Sequence, residues 1–61
     1  MSNPVQAAHK ATAKATEAEN DGCFSEAAGY YRIAAELWRN VDDEDQAERC
    51  EYKADEMEDL L

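Results

Sequence analysis

The sequence predicts an all-α fold: a helical hairpin followed by a third, C-terminal helix, spanning about residues 4–20, 25–40 and 44–60 of a single small domain. Three observations predict it. Apolar residues recur at spacings of three and four along most of the chain, the period of a helix. The run Asn20-Asp21-Gly22 interrupts them with a turn signal. The apolar stripe of the second run is out of phase with that of the third, which calls for a break between them.

The first helix has a clear start. Asn3 is a good N-cap and Pro4 suits the first helical position. Residues 5–19 are rich in alanine, glutamate and lysine, all strong helix formers. Val5, Ala8, Ala11, Ala15 and Ala18 share one face. Small residues there let a partner helix approach closely but bury little area each. His9 reads as a surface or rim residue. Gly22 can take the left-handed conformation that closes many helices.

Ser25 is the expected cap of the second helix, with Phe24 packing across the turn. Phe24, Ala28, Tyr31, Ala35 and Trp38 repeat at 4-3-4-3, and Ala27 and Ala34 widen the stripe. Tyr30, Ile33 and Leu37 lie to its sides. Gly29 inside the helix costs about 1 kcal/mol against alanine and points to a close backbone approach. This apolar arc is wider than one partner helix covers. The stripe from Phe24 to Trp38 reads as core, and the residues beside it read as contact surface for another chain.

Extending the same 4-3 pattern past Trp38 lands on Asp42, Asp45, Arg49, Tyr52, Glu56 and Asp59, nearly all charged. The apolar positions of the last third are Ala47, Cys50, Ala54, Met57 and Leu61. A break near residues 40–43 reconciles the two, and Asp43 with Gln46 three residues on resembles a capping box. A bent continuous helix is the alternative.

Charge is uneven. The chain carries a net charge of −9, and residues 42–61 hold ten acids against Arg49 and Lys53. That sign repels phosphate, so direct binding of nucleic acid is disfavoured. The acids can attract a basic protein surface or form a solvated face that keeps a small protein in solution. No apolar run approaches the roughly 18 residues of a membrane span, and the N-terminus has no signal-peptide core. The expectation is a cytoplasmic protein that does not contact membranes.

Catalysis lacks its usual residues. There is no phosphate loop, no Gly-x-Ser-x-Gly and no His-Glu-x-x-His, and Ser2 and Ser25 have no evident base. Asp42-Asp43-Glu44-Asp45 lacks the central glycine and alternating ligands of a calcium loop. Cys23 and Cys50 do not form a Cys-x-x-Cys pair, and only His9 could join them on a metal. They read as reduced small hydrophobes, with an interhelical disulfide left open. No enzyme, cofactor or metal is expected.

Several resemblances attach to these residues. Gly22, Phe24, Ala27, Tyr31 and Ala34 fall on the glycine, aromatic and alanine positions of a tetratricopeptide repeat, and the run from Gly22 to Leu37 resembles its turn and second helix. The first helix lacks that repeat's large residues, and the proline after the second is absent. Glu19-x-Asp21-Gly22-x-Phe24-x-Glu26-Ala27-Ala28, Ala34-Ala35-x-x-Trp38 and Arg49-Cys50 are similar to the small bacterial AraC negative regulators. That resemblance implies a helical protein modulating transcription by binding other regulators. Size and acidity also resemble small early-region proteins of lambdoid phages, which implies redirection of the host cell. Glu51-Tyr52-x-Ala54 and Leu60-Leu61 look like parts of a three-helix MIT domain.

The functional expectation is a small non-catalytic regulator that acts by protein–protein contact. The alternatives are an acidic mimic that occupies a nucleic-acid-binding surface, and an assembly protein. A chain of this length buries only about 60% of its unfolded surface, so a helical-bundle homodimer is expected besides a host or regulatory partner. The candidate interface residues are Tyr30, Ile33, Leu37, Trp38, Met57 and Leu61.

Overall fold

A computed structural model describes residues 3–61; Ser2, weighed above as a nucleophile, lies outside them. The fold is all-helical: α1 is Pro4–Asn20, α2 is Phe24–Asn40 and α3 is Glu44–Asp59. The break after Asn40 is therefore present, and the continuous second helix is excluded.

The start of α1 follows its sequence signal. The Asn3 side chain accepts a hydrogen bond from the Val5 N–H at 2.9 Å, and Pro4 follows in the first turn. Ala8, Ala11, Ala15 and Ala18 are buried. Val5, first of that stripe, is instead 40% exposed.

The turn into α2 departs from expectation. Ser25 is not the cap; Cys23 is, without a side-chain hydrogen bond, and the helix begins at Phe24. The chain closes α1 with a Schellman-type pair of bonds. The Gly22 N–H donates to Glu19 O at 3.0 Å and the Cys23 N–H to Ala18 O at 2.8 Å. Gly22 supports this at φ 79°. Cys23 accepts from the Ala27 N–H at 2.9 Å through its carbonyl, so α2 starts before Ser25 is reached. Gly29 marks no close approach either, because a Cβ there meets nothing within 4 Å.

The second turn repeats the first. The Asp42 N–H bonds Arg39 O at 3.1 Å and the Asp43 N–H bonds Trp38 O at 2.9 Å, with Asp42 at φ 61°. The Asp43 side chain caps α3 by accepting from the Gln46 N–H at 3.3 Å. Only that half of the capping box forms, since Trp38 O already takes the Asp43 N–H.

α2 is the central element, packed on both α1 and α3. One of its stripes, Ala27, Tyr30, Ala34 and Leu37, faces α1, as the Lys14 ammonium 5.9 Å above the Tyr30 ring shows. Another, Ala28 and Ala35, faces α3, between Arg32 and Arg39, whose carboxylate partners all lie on α3. Tyr31 and Trp38 point between the two neighbours and are 3% exposed. The alanines of α1 and Ala47 and Ala54 of α3 leave room for these rings. Cys50 is buried, Cys23 is exposed and both thiols are free, so the disulfide left open above does not form. Burial pushes the Cys50 thiol pKa up, partly offset by Thr12 at 3.9 Å.

Candidate interaction surface

Six residues were expected at an interface, and the structure does not bring them together. Trp38 and Met57 are core residues, 3% and 2% exposed. This corrects their assignment. α3 folds back over α2, and with α1 it closes over the Trp38 ring. Met57 continues the buried stripe of Ala47, Cys50 and Ala54. Tyr30 and Leu37 are half-buried against the core. Only Ile33 and Leu61 are well exposed, at 51% and 72%. They sit on different elements, Ile33 on the outward side of α2 and Leu61 just past the end of α3.

The seam between α1 and α3 holds the densest polar network. The Trp38 Nε1–H donates to Thr12 Oγ1 at 3.0 Å, and Thr12 donates in turn to Ala8 O at 2.9 Å. The His9 ring meets Trp38 edge-on, with centroids 4.7 Å apart. One turn further along, the Tyr31 hydroxyl donates to Glu19 Oε1 at 2.7 Å and lies 3.4 Å from Thr16 Oγ1. Lys53 Nζ donates to Glu19 Oε2 at 2.9 Å. Most of these bonds tie α1 to α2, and Lys53 with Glu19 ties α1 to α3.

The electrostatics of this cluster reinforce its bonds. The Tyr31 hydroxyl, then Lys53, hold the Glu19 carboxyl below its ordinary pKa. Glu19 holds the Lys53 ammonium above its own, and burial pushes the Tyr31 phenol up. Each shift favours the form that makes these bonds: ionised Glu19, protonated Lys53 and the neutral Tyr31 phenol. Among the described residues, no three His, Cys, Asp or Glu side chains are placed to hold a metal ion.

The outward face of α3 is different. Tyr52 is 67% exposed and lines a shallow depression with Asp45, Glu48 and Arg49. Of the acids around it, Asp55 and Glu58 reach Arg32, Glu44 and Glu51 reach Arg39, and Glu56 reaches Lys53. Among the described residues, Asp45, Glu48 and Asp59 have no cation within salt-bridge distance. The acidity is therefore divided between holding α3 on α2 and facing solvent around Tyr52.

Sequence reasoning passed over Tyr52 because the failed 4-3 extension landed on it among charges. The missed signal was one large ring spaced three, four and seven residues from acids on the same helix. Thr12, Thr16 and Glu19 were missed as well; they run at 4-3 spacing beside the alanine stripe. Among the described residues no helix is long and apolar enough to cross a membrane. No family model, no curated protein and no solved structure matches the chain.

Proposed function

We propose that this chain is a non-catalytic helical module that works by binding another protein, with the outward face of α3 as the contact. The observation that carries this reading is Tyr52, a large exposed ring in a depression shared with the unpaired acids Asp45 and Glu48 and with Arg49. Aromatic rings dominate binding energy when a partner desolvates them, and surrounding charge sets the encounter rate and excludes partners of the same sign. The fitting partner is a basic protein surface with a pocket for the phenol ring. A regulatory role, of the kind the sequence resemblances imply, would act through this contact.

Ile33 offers a single exposed aliphatic on α2 and is a weaker anchor than Tyr52. The acidic-mimic reading uses the same acids but gives the ring no part, and that difference is the test. Proteins captured from a bacterial lysate are compared between wild type, Tyr52→Ala and Glu48→Gln. Loss of the same basic protein with Tyr52→Ala, at unchanged helicity by circular dichroism, supports the module. Capture that is indifferent to Tyr52→Ala but disappears as salt is raised overturns it in favour of the mimic.

A further inference from the structure

The two hairpins are built on one register. Both turns make the same pair of backbone bonds, Gly22 to Glu19 with Cys23 to Ala18 and, twenty positions on, Asp42 to Arg39 with Asp43 to Trp38, and both place Gly22 or its counterpart Asp42 at positive φ. The packed faces repeat with the same offset. α1 buries Ala8, Ala11, Ala15 and Ala18; twenty positions on, Ala28, Tyr31, Ala35 and Trp38 are buried on the forward side of α2. α2 turns Ala27, Tyr30, Ala34 and Leu37 back toward α1. Twenty positions on, Ala47, Cys50, Ala54 and Met57 are the residues α3 turns back toward α2. Each helix therefore has a backward face and a forward face, about 100° apart on the wheel. Serial helix packing of this kind is how repeat arrays propagate.

Two such faces have no further helix packed on them, although Lys14 on one lies over the Tyr30 ring and three acids of the other bond Arg32 and Arg39. The backward face of α1 is Ala7, Lys10, Lys14 and Glu17; the forward face of α3 is Glu48, Glu51, Asp55 and Glu58. Their charges are complementary. Lys10 and Lys14 are exposed, and among the described residues neither has a carboxylate within salt-bridge distance. The α3 face is wholly acidic. Its bonds to Arg32 and Arg39 lie on an exposed rim, where ion pairs exchange for others at little cost. The next helix of the series would also touch α2 as α3 touches α1. The seam residues Thr12, Thr16 and Glu19 correspond to Arg32, Glu36 and Arg39, and these line an open groove between α2 and α3 beside the exposed Ile33.

We propose that a second copy of this chain docks there head to tail, the lysine-bearing face of its α1 on the acidic face of α3. A symmetric pairing of the α3 face with itself sets like charges together, whereas the head-to-tail contact sets the α1 lysines on carboxylates. Such a contact is heterologous and leaves both outer ends open, so association grows with concentration instead of stopping at two. Glu48 lies on both this α3 face and the rim of the Tyr52 depression, so the ring itself, and not the acids, separates the two contacts.

The test is sedimentation velocity on the full chain. In about 0.1 M salt, where screening within about 10 Å leaves contacts between faces but weakens repulsion between chains of net charge −9, the weight-average mass rises with concentration. In about 1 M salt, with screening within about 3 Å, it returns to that of one chain. Lys10→Glu with Lys14→Glu abolishes the rise, and so does Glu48→Lys with Asp55→Lys, both checked for helicity by circular dichroism. Mixing the two variants restores association, because each supplies the face the other can bind. Tyr52→Ala associates as wild type does, which separates this result from the partner reading. A monomer at every concentration in the lower salt overturns the proposal, as does a dimer indifferent to both charge reversals. Should the α3 variant fail to fold, the salt series and the α1 variant still decide.

Discussion

The two hairpins of this chain have the same turn and opposite chemistry at their packed faces. Between α1 and α2 the α1 side of the core contact is all alanine, Ala8, Ala11, Ala15 and Ala18, against buried Ala27 and Ala34 with Tyr30 and Leu37 half-buried beside them. Between α2 and α3 larger groups enter, Cys50 and Met57, and the rim is closed by Arg32 and Arg39 on the acids of α3. The first hairpin gains from close approach; the second gains from bulk and from charge at its edge. Small interhelical residues give little area each, so the first contact relies on good fit over its whole length.

Opposite substitutions separate the two kinds of packing, with the largest expected effects. Met57→Ala removes bulk from the second hairpin and leaves a cavity, costing about 2–5 kcal/mol. Ala15→Leu adds bulk to the first, at a position 0% exposed, and costs about 1–3 kcal/mol by overpacking. A domain this short holds only on the order of 3–9 kcal/mol, so both effects are visible in urea unfolding followed by circular dichroism. If Ala15→Leu were neutral, the first hairpin would contain slack and the contrast would fail.

The turns sharpen the comparison at smaller magnitude. Gly22 and Asp42 hold the same left-handed place, at φ 79° and 61°, but only the first is a glycine. A side chain in that conformation costs about 1–2 kcal/mol. Gly22→Ala is expected to lower stability by about that amount. Asp42→Gly is expected to raise it by up to about 1 kcal/mol, because relief of backbone strain exceeds the added unfolded-state freedom of glycine. Equal losses at both sites would show that the aspartate side chain contributes something to its turn beyond occupying it.

This pair also explains what was legible beforehand. Gly22 announced the first turn. The second carries no glycine or proline and was found only through the phase shift between the stripe ending at Trp38 and the one beginning at Ala47. The N-cap of α1, the alanine face from Ala8 to Ala18, the core stripe of α2 and the positions Ala47, Cys50, Ala54 and Met57 were readable as periodic patterns. Exposure on the sides of α2 was not. Whether Trp38 faces solvent depends on where two other helices lie around it, and a pattern along one helix does not give the angle between its neighbours. For the same reason the polar seam was invisible: Glu19 and Lys53 are 34 positions apart, and nothing local links them.

The seam joins the two hairpins to each other, and protonation of Glu19 tests how much it contributes. Its carboxyl faces the Tyr31 hydroxyl, Thr16 beside it, and Lys53, with Glu56 on the far side of that ammonium at 3.5 Å. Tyr31 and then Lys53 depress its pKa in the folded chain. A depressed carboxyl contributes stability that is present above the unfolded value of about 4.3 and is lost as pH falls through the lower folded value. Wild type is therefore expected to lose stability below about pH 5 more steeply than Glu19→Gln, which cannot titrate there. The difference between the two unfolding curves isolates this group from the many other acids of the chain. Above that range the glutamine variant is expected to be the less stable one, because it leaves Lys53 with a weaker acceptor. If the curves run parallel across the acid range, α1 and α3 are held by their shared packing on α2 alone, and the seam between the hairpins is only a point of contact.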